Sequence, residues 1–223
     1  MAAAFPEPKF ADTNGIRITG EVHGAGTQPC VATAEPVPFL VTERIALLLT
    51  QATPEGGEID QIAELIDLNV TAPLQLTHRL LPLLRQQGEA LVINLGSTFG
   101  SIGYPGFSAY CASKFALRGF SEALRRELAD TQVKVLYFAP RATRTGMNAA
   151  SVVAMNDELN VAMDDPHSVA QQLLAAIRRE EEERYLGWPE KLFVRLNSLL
   201  PRVVDQALRK QLPIIQRFAR SKP

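Results

Sequence analysis

The stretch LVINLGSTFGSIGYPGFSAYCASK, residues 91–114, decides the fold. Its opening, Leu91 to Leu95, is a short apolar run with β-branched members that stops at Gly96, the pattern of a strand buried on both faces of a parallel sheet. Ser97 then stands at the carboxyl end of that strand. Open α/β sheets bind ligands outside those ends, so a hydroxyl placed there faces a crevice rather than the core. Gly100, Gly103, Pro105 and Gly106 punctuate the loop that follows, and a helical pattern begins near Tyr110. Tyr110 and Lys114 are four residues apart, which on a helix puts them on one face, one turn from each other.

That pair has specific chemistry. A free phenol ionises near pH 10 and is a poor base at neutrality, but a neighbouring cation favours the phenolate and lowers that value. A tyrosine tuned in this way can take a proton from an alcohol, or give one to a ketone, while a serine hydroxyl holds the same oxygen. A hydride carrier is what the chemistry still needs.

The combination of INLGS with Ser97, Tyr110 thirteen positions later, and YCASK with Lys114 resembles the short-chain dehydrogenase/reductase family. SKFALRGFSEALRREL resembles the helix that carries the family's lysine, and Asn69 in DLNVTAP matches the asparagine of its catalytic tetrad. VKVLYFAP followed by RATRT resembles the next strand and the Pro-Gly-xxx-Thr loop, with Pro140 and Thr145 in register and Arg141 where the family has glycine. The resemblance covers roughly residues 58 to 200. It implies an α/β fold, a Rossmann-like doubly wound parallel sheet with helices on both faces. It also implies an oxidoreductase that moves a hydride between NAD or NADP and a carbonyl or secondary alcohol. Tyr110 would be the acid/base, Lys114 would lower its pKa and touch the cofactor ribose, Ser97 would orient the substrate oxygen, and Asn69 would hold a water of the proton relay. The long helices around Asn69 and Lys114 commonly pair between subunits in the family, so a homo-oligomer is expected.

Before residue 58 the pattern departs. GIRITG, residues 15–20, reads as a first strand leading into TGEVHGAG, residues 19–26, a letter-for-letter match to the family's phosphate-cradling TGxxxGxG with Gly20, Gly24 and Gly26. Glycines serve there because the backbone must approach a pyrophosphate at a helix N-terminus. The continuation TQPCVATAEPVPF carries Pro29, Pro36 and Pro38, and proline inside a helix costs ~3 kcal/mol or more, so the family's long helix cannot run through it. From Thr19 to Asn69 is 50 positions, whereas one βαβ unit takes ~30 residues or more. At least one unit is missing, and the N-terminal part of the sheet is expected to be abbreviated. VPFLVTE and RIALLLT supply one or two strands. Glu43 and Arg44 are the candidates to meet the adenosine ribose or its phosphate, and the choice between NAD and NADP stays open.

From Gly57 onward the helical spacing of Ile59, Ile62, Ala63, Ile66 and Val70 continues through Leu76, Leu80, Leu83 and Leu84, interrupted by Pro73 and Pro82. A long kinked helix is expected, in which Pro73, lacking an N–H, leaves the carbonyl of Asn69 free. Asp165-Pro166 opens another helix, an Asp cap with proline in the first turn. RREEEER, residues 178–184, reads as a solvated helical surface. The final segment interleaves leucines with Lys191, Arg195, Arg202, Arg209 and Lys210, opposed by Asp205, and Pro201 and Pro213 are expected to divide it into short helices. Such a basic amphipathic segment can lie on an anionic membrane surface or cover a cleft or subunit.

One domain is expected over residues 1–223: a divergent cofactor region at 1–57, a catalytic core at 58–190 and basic amphipathic helices at 191–223. Hydrophobic residues make up 46% and the net charge is -1, an ordinary globular balance that argues against nucleic-acid binding. Cys30 and Cys111 are too few for a disulfide framework and suggest a reducing compartment. The N-terminus has no signal-peptide core, so a cytoplasmic location is expected. His23, His78 and His167 have no ligand spacing, and no metal site is expected. Tyr104, Phe107, Met147 and Met163 suggest an apolar substrate. A non-catalytic relative that binds a protein or membrane is the competing reading. A serine hydrolase fails because a GxSxG elbow needs glycine where Leu95 stands.

Overall fold

The computed structural model describes residues 26–29, 36–39, 46–47, 59–146 and 148–220. Three short strands come first, β1 (Gly26–Pro29), β2 (Pro36–Phe39) and β3 (Ala46–Leu47). β1 and β2 pair antiparallel as a separate two-stranded sheet, so Gly26–Pro29 and Pro36–Phe39 are extended, not helical. The main sheet runs β3-β4-β5-β6, all parallel, with β4 at Ala90–Leu95, β5 at Val133–Ala139 and β6 at Glu183–Tyr185.

Helices cover both faces of this sheet, as the near-continuous apolar run of β4 predicts. Side chains alternate along a strand, so Ala90, Val92, Val133 and Val135 face one way. They pack against Leu80 and Leu84 of α2 (Ala72–Leu84) and Phe120 and Leu124 of α3 (Ser108–Glu127). Ile93, Leu136 and Phe138 face the other way, against Val169, Leu173, Ala176 and Ile177 of α5 (Pro166–Arg178). A buried polar pair locks α3 to the sheet: Asn94 Nδ2 donates to Ser121 Oγ at 2.8 Å, and Ser121 donates to the Leu117 carbonyl at 2.7 Å.

The expected kinked helix exists, and its irregularity is a π-turn rather than a bend at a proline. α1 (Ile59–Ile66) runs into a π-helical segment, Asp67–Thr71, and then into α2. Pro73 has no N–H for the Asn69 carbonyl four residues earlier, and the Ala72 N–H bonds instead to the Asp67 carbonyl, five residues back. Asp165 caps α5 as expected, its carboxylate accepting from the Ser168 N–H at 3.0 Å.

Two expectations are corrected. RREEEER is not helical throughout: α5 ends at Arg178, Glu180 takes a positive φ of 54°, and the chain then enters edge strand β6. Backbone pairing of Tyr137 with Glu183 overrides the helical preference of the glutamates. Nor does Pro213 end a helix. α6 (Glu190–Leu199) stops before Pro201, but α7 (Pro201–Arg220) continues through Pro213. The proline removes one hydrogen bond, while Val204 and Ile215, buried on either side of it, hold both halves in one packed stripe. No helix among the described residues is long and apolar enough to cross a membrane.

Candidate active site

Ser97, Tyr110, Lys114 and Asn69 come from three different elements, the end of β4, the start of α3 and the π-turn. Ser97 is extended, φ -160° and ψ 159°, and caps a 3₁₀ turn at Thr98–Gly100 by accepting the Phe99 N–H on its Oγ at 3.1 Å. This aims the hydroxyl out of the sheet. The Ser97 side chain also lies near enough to the Tyr110 phenol to favour its ionised form. Lys114 is buried, its Nζ donating to the Leu95 carbonyl at 3.1 Å and lying 5.8 Å from the centre of the Tyr110 ring.

Asn69 is fully buried and tied to the same helix, since its Nδ2 donates to Ser113 Oγ at 3.0 Å and Ser113 donates to the Tyr110 carbonyl at 2.8 Å. Its Oδ1 has no hydrogen-bond partner, although a buried acceptor is normally satisfied. The π-turn is therefore coupled to Tyr110 through Ser113, a link with no signal in the sequence reading beyond the spacing of Ser113 from Tyr110.

Electrostatics differ in sign from the sequence expectation. Burial pushes the Tyr110 phenol above its ordinary value, and the nearby Ser97 side chain only partly offsets this. Burial also lowers the Lys114 ammonium, to about 8. Desolvation is the largest influence on both groups.

Beneath the serine lies a residue that sequence reasoning treated as scaffold. Tyr137 of β5 is buried, its phenol donating to the Ser97 carbonyl at 3.2 Å and accepting the Ser97 N–H at 3.4 Å. Its ring occupies the space a side chain at position 96 would need. A Cβ on Gly96 would sit 2.2 Å from the Tyr137 ring, and one on Gly100 would sit 2.4 Å from its hydroxyl and 2.8 Å from the Lys114 carbonyl. Gly96 and Gly100 were thus the available signal, read only as punctuation. Gly96→Ala is expected to destabilise the fold by ~1–3 kcal/mol, and Tyr137→Val in the same chain should restore part of the loss. Urea denaturation of the two single variants and the double variant measures that coupling.

Pro140 is close to the serine, its carbonyl accepting the Thr98 N–H at 3.1 Å. Arg141, in place of the family's glycine, turns away to Asp164 (2.7 and 3.0 Å) and to Glu190 of α6 (3.2 and 3.4 Å). Gly187, at φ 89°, leaves room for this, since a Cβ there would meet Arg141 Cδ at 2.6 Å. Thr145 Oγ1 faces Asn148 at 3.4 Å. Removing the guanidinium strands two carboxylates that are mostly buried, so Arg141→Gly, which restores the family motif, is expected to lower stability by about 1–3 kcal/mol. A thermal melt reads the change.

Phe99, Tyr104 and Phe107 gather beside the Tyr110 phenol. Phe99 stacks on Tyr104 at 4.7 Å and meets Tyr110 edge-on at 6.3 Å. Tyr104 donates to Gln211 of α7 at 3.1 Å, closing the loop against that helix. Met163 is half-buried. Gly20, Gly24 and Met147 lie outside the described residues, and Gly26 opens β1.

The chain thus forms a parallel sheet covered on both faces, with a serine at a strand end near a tyrosine and a lysine on the next helix, the arrangement that the sequence motifs lead one to expect. Residues 46–156 match the family model of the short chain dehydrogenases. Uncharacterized oxidoreductase YusZ of Bacillus subtilis is 31% identical over 190 residues, covering 82% of this chain and 64% of the relative. A short-chain dehydrogenase of Streptomyces avermitilis, known from its crystal structure, superposes with a TM-score of 0.56 at 28% identity over 73% of this chain and 67% of its own. One from Burkholderia cenocepacia, crystallised in complex with NADP, has a TM-score of 0.59 at 21% identity over 74% and 65%, which speaks to the fold alone. The chain belongs to the short-chain dehydrogenase/reductase family. It spans between half and two thirds of the length of most of the curated relatives it matches.

Proposed function

We propose that the chain is an NAD- or NADP-dependent oxidoreductase acting on a carbonyl or secondary alcohol. The observation that carries this is the meeting of Ser97 and Tyr110 at the end of β4, the serine side chain near enough to favour the phenolate, with the Lys114 ammonium buried one helical turn away. The donor set suits a nicotinamide ribose, because an ammonium and a phenol are paired at one strand end beside the Pro140 carbonyl. Lys114 and Tyr110 would hold that ribose, with Pro140 and Thr145 on the same side. When bound, the nicotinamide supplies or accepts the hydride.

Ser97 holds the substrate oxygen by a hydrogen bond. In reduction Tyr110 passes its phenolic proton to that oxygen, and in oxidation it takes the proton back. Lys114 stabilises the phenolate formed in between, and the buried Asn69 Oδ1 offers an acceptor for a proton-relay water. The Phe99, Tyr104 and Phe107 cluster favours an apolar substrate. Leu76 and Leu83 of α2 and Phe115 of α3 are exposed, which supports pairing of these helices between subunits. The cytoplasm is the proposed location.

Because burial keeps the phenol protonated past neutrality, the proton donor for reduction is loaded at pH 7 while oxidation waits for the phenolate. Oxidation kcat/KM is expected to rise between about pH 7 and pH 9 while reduction stays level. A falling oxidation limb over that range would contradict the acid/base role of Tyr110. Cofactor binding is tested by calorimetric titration with NADPH and then NADH. Saturable heat at a Kd of ~100 μM or better supports the reading. No heat from folded protein refutes it and favours a non-catalytic member of the family.

A further inference from the structure

Helices α6 and α7 pack on each other and present two apolar faces. The inner face is accounted for: Val194, Val204 and Leu208 pack with Ile102 and Tyr185, and Ile215 lies under the loop at Gly106. The outer face has no partner among the described residues. Leu199 is 80% exposed and Leu200 56%, at the joint between the helices, with Leu192 and Val203 exposed on either side. Leu192 and Leu199 are seven residues apart and so share one helix face, with Arg195 between them.

The charges around this patch are mostly positive. Arg195, Arg202, Arg209 and Lys210 are exposed. Residues 190–220 hold seven Lys and Arg against two acids, in a chain whose net charge is -1. One of those acids, Glu190, is taken up by Arg141, and one of the cations, Arg217, by Glu158. Apolar side chains at a helix joint, flanked along the chain by exposed cations, match the layered chemistry of an anionic bilayer surface, with acyl chains beneath and phosphates above. A second copy of the same face fits poorly, because pairing it with itself would bring two cation-rich surfaces together.

We propose that the outer face of α6 and α7, centred on Leu199 and Leu200, docks the protein on anionic lipid. Docking is peripheral, and it leaves Gln211, the partner of Tyr104, on the opposite, inner face of α7. The inference stands apart from the oxidoreductase reading.

Co-sedimentation with vesicles tests it, using phosphatidylcholine alone and phosphatidylcholine mixed with phosphatidylglycerol. The full chain is compared with Leu199→Asp/Leu200→Asp and with Arg195→Glu/Arg202→Glu. All four positions are exposed, and circular dichroism checks that the variants fold. The wild type is expected to bind the phosphatidylglycerol vesicles and to release them at high salt, with both variants weakened by at least about tenfold. Three results would overturn the proposal. One is no binding to either vesicle, and another is wild-type binding by both variants. The third is a light-scattering dimer that Leu199→Asp/Leu200→Asp dissolves in a protein that ignores lipid, which would assign the face to a second copy. NADPH titration of the same variants should match wild type, so failure here is separable from failure of the catalytic reading.

Discussion

Tyr110→Phe is expected to leave the fold intact and to lower turnover by ~10²–10⁴-fold. The ring stays, so the edge-on contact with Phe99 at 6.3 Å is kept, and so is the bond from Ser113 to the Tyr110 backbone carbonyl. What goes is the hydroxyl that meets Ser97, and with it the proton that balances the hydride. The loss should fall on kcat with little change in cofactor affinity, because the hydroxyl acts on charge that develops during the reaction. Steady-state kinetics beside the NADPH titration separates the two. Equal loss of kcat and of cofactor binding would mean that the phenol is chiefly a ribose contact.

Lys114→Met is expected to move stability and activity in opposite directions. The ammonium is buried and its pKa is lowered to about 8, against an ordinary 10.5. The sign follows from proton binding. Below about pH 8 the side chain is charged in both folded and unfolded chains, and the full cost of burying that charge is present. Between about 8 and 10.5 the unfolded chain holds a proton that the native chain does not, so wild-type stability rises with pH through this window. Methionine has nearly the same length and no charge to desolvate. Its loss of the Leu95 hydrogen bond, worth roughly 1 kcal/mol, offsets part of the gain. At pH 7 the variant should be more stable by roughly 1–2 kcal/mol, with the difference closing toward pH 10, and its turnover should fall by at least ~10²-fold. Denaturation curves across that pH range check this. A variant that is less stable at every pH would show that the Leu95 bond outweighs desolvation. A residue that weakens the fold yet persists at a site is what a functional position looks like in energetic terms.

β4 and α3 were legible because their signals are local: an apolar run of strand length, a break at Gly96, then a tyrosine and lysine one helical turn apart. The Asp165 cap was legible for the same reason. RREEEER failed because its strand identity comes from pairing with β5, a partner more than forty residues away. Pro213 failed because buried contacts on both sides of it carry the helix across a missing hydrogen bond. The glycine turn at Gly20 and Gly24 lies outside the described residues.

By itself the sequence determined the residue types of the site, their chain order and the parallel α/β class, since backbone periodicity and short spacing encode these directly. Only the tertiary structure decided three further things. It set the Tyr137 ring beneath Gly96 and Ser97, hung Asn69 on Ser113, and turned Arg141 toward Asp164 and Glu190. The physical reason is common to all three. Each depends on side chains more than twenty residues apart filling one another's space and satisfying one another's charge, and a single sequence carries no periodic signal for which distant groups will meet.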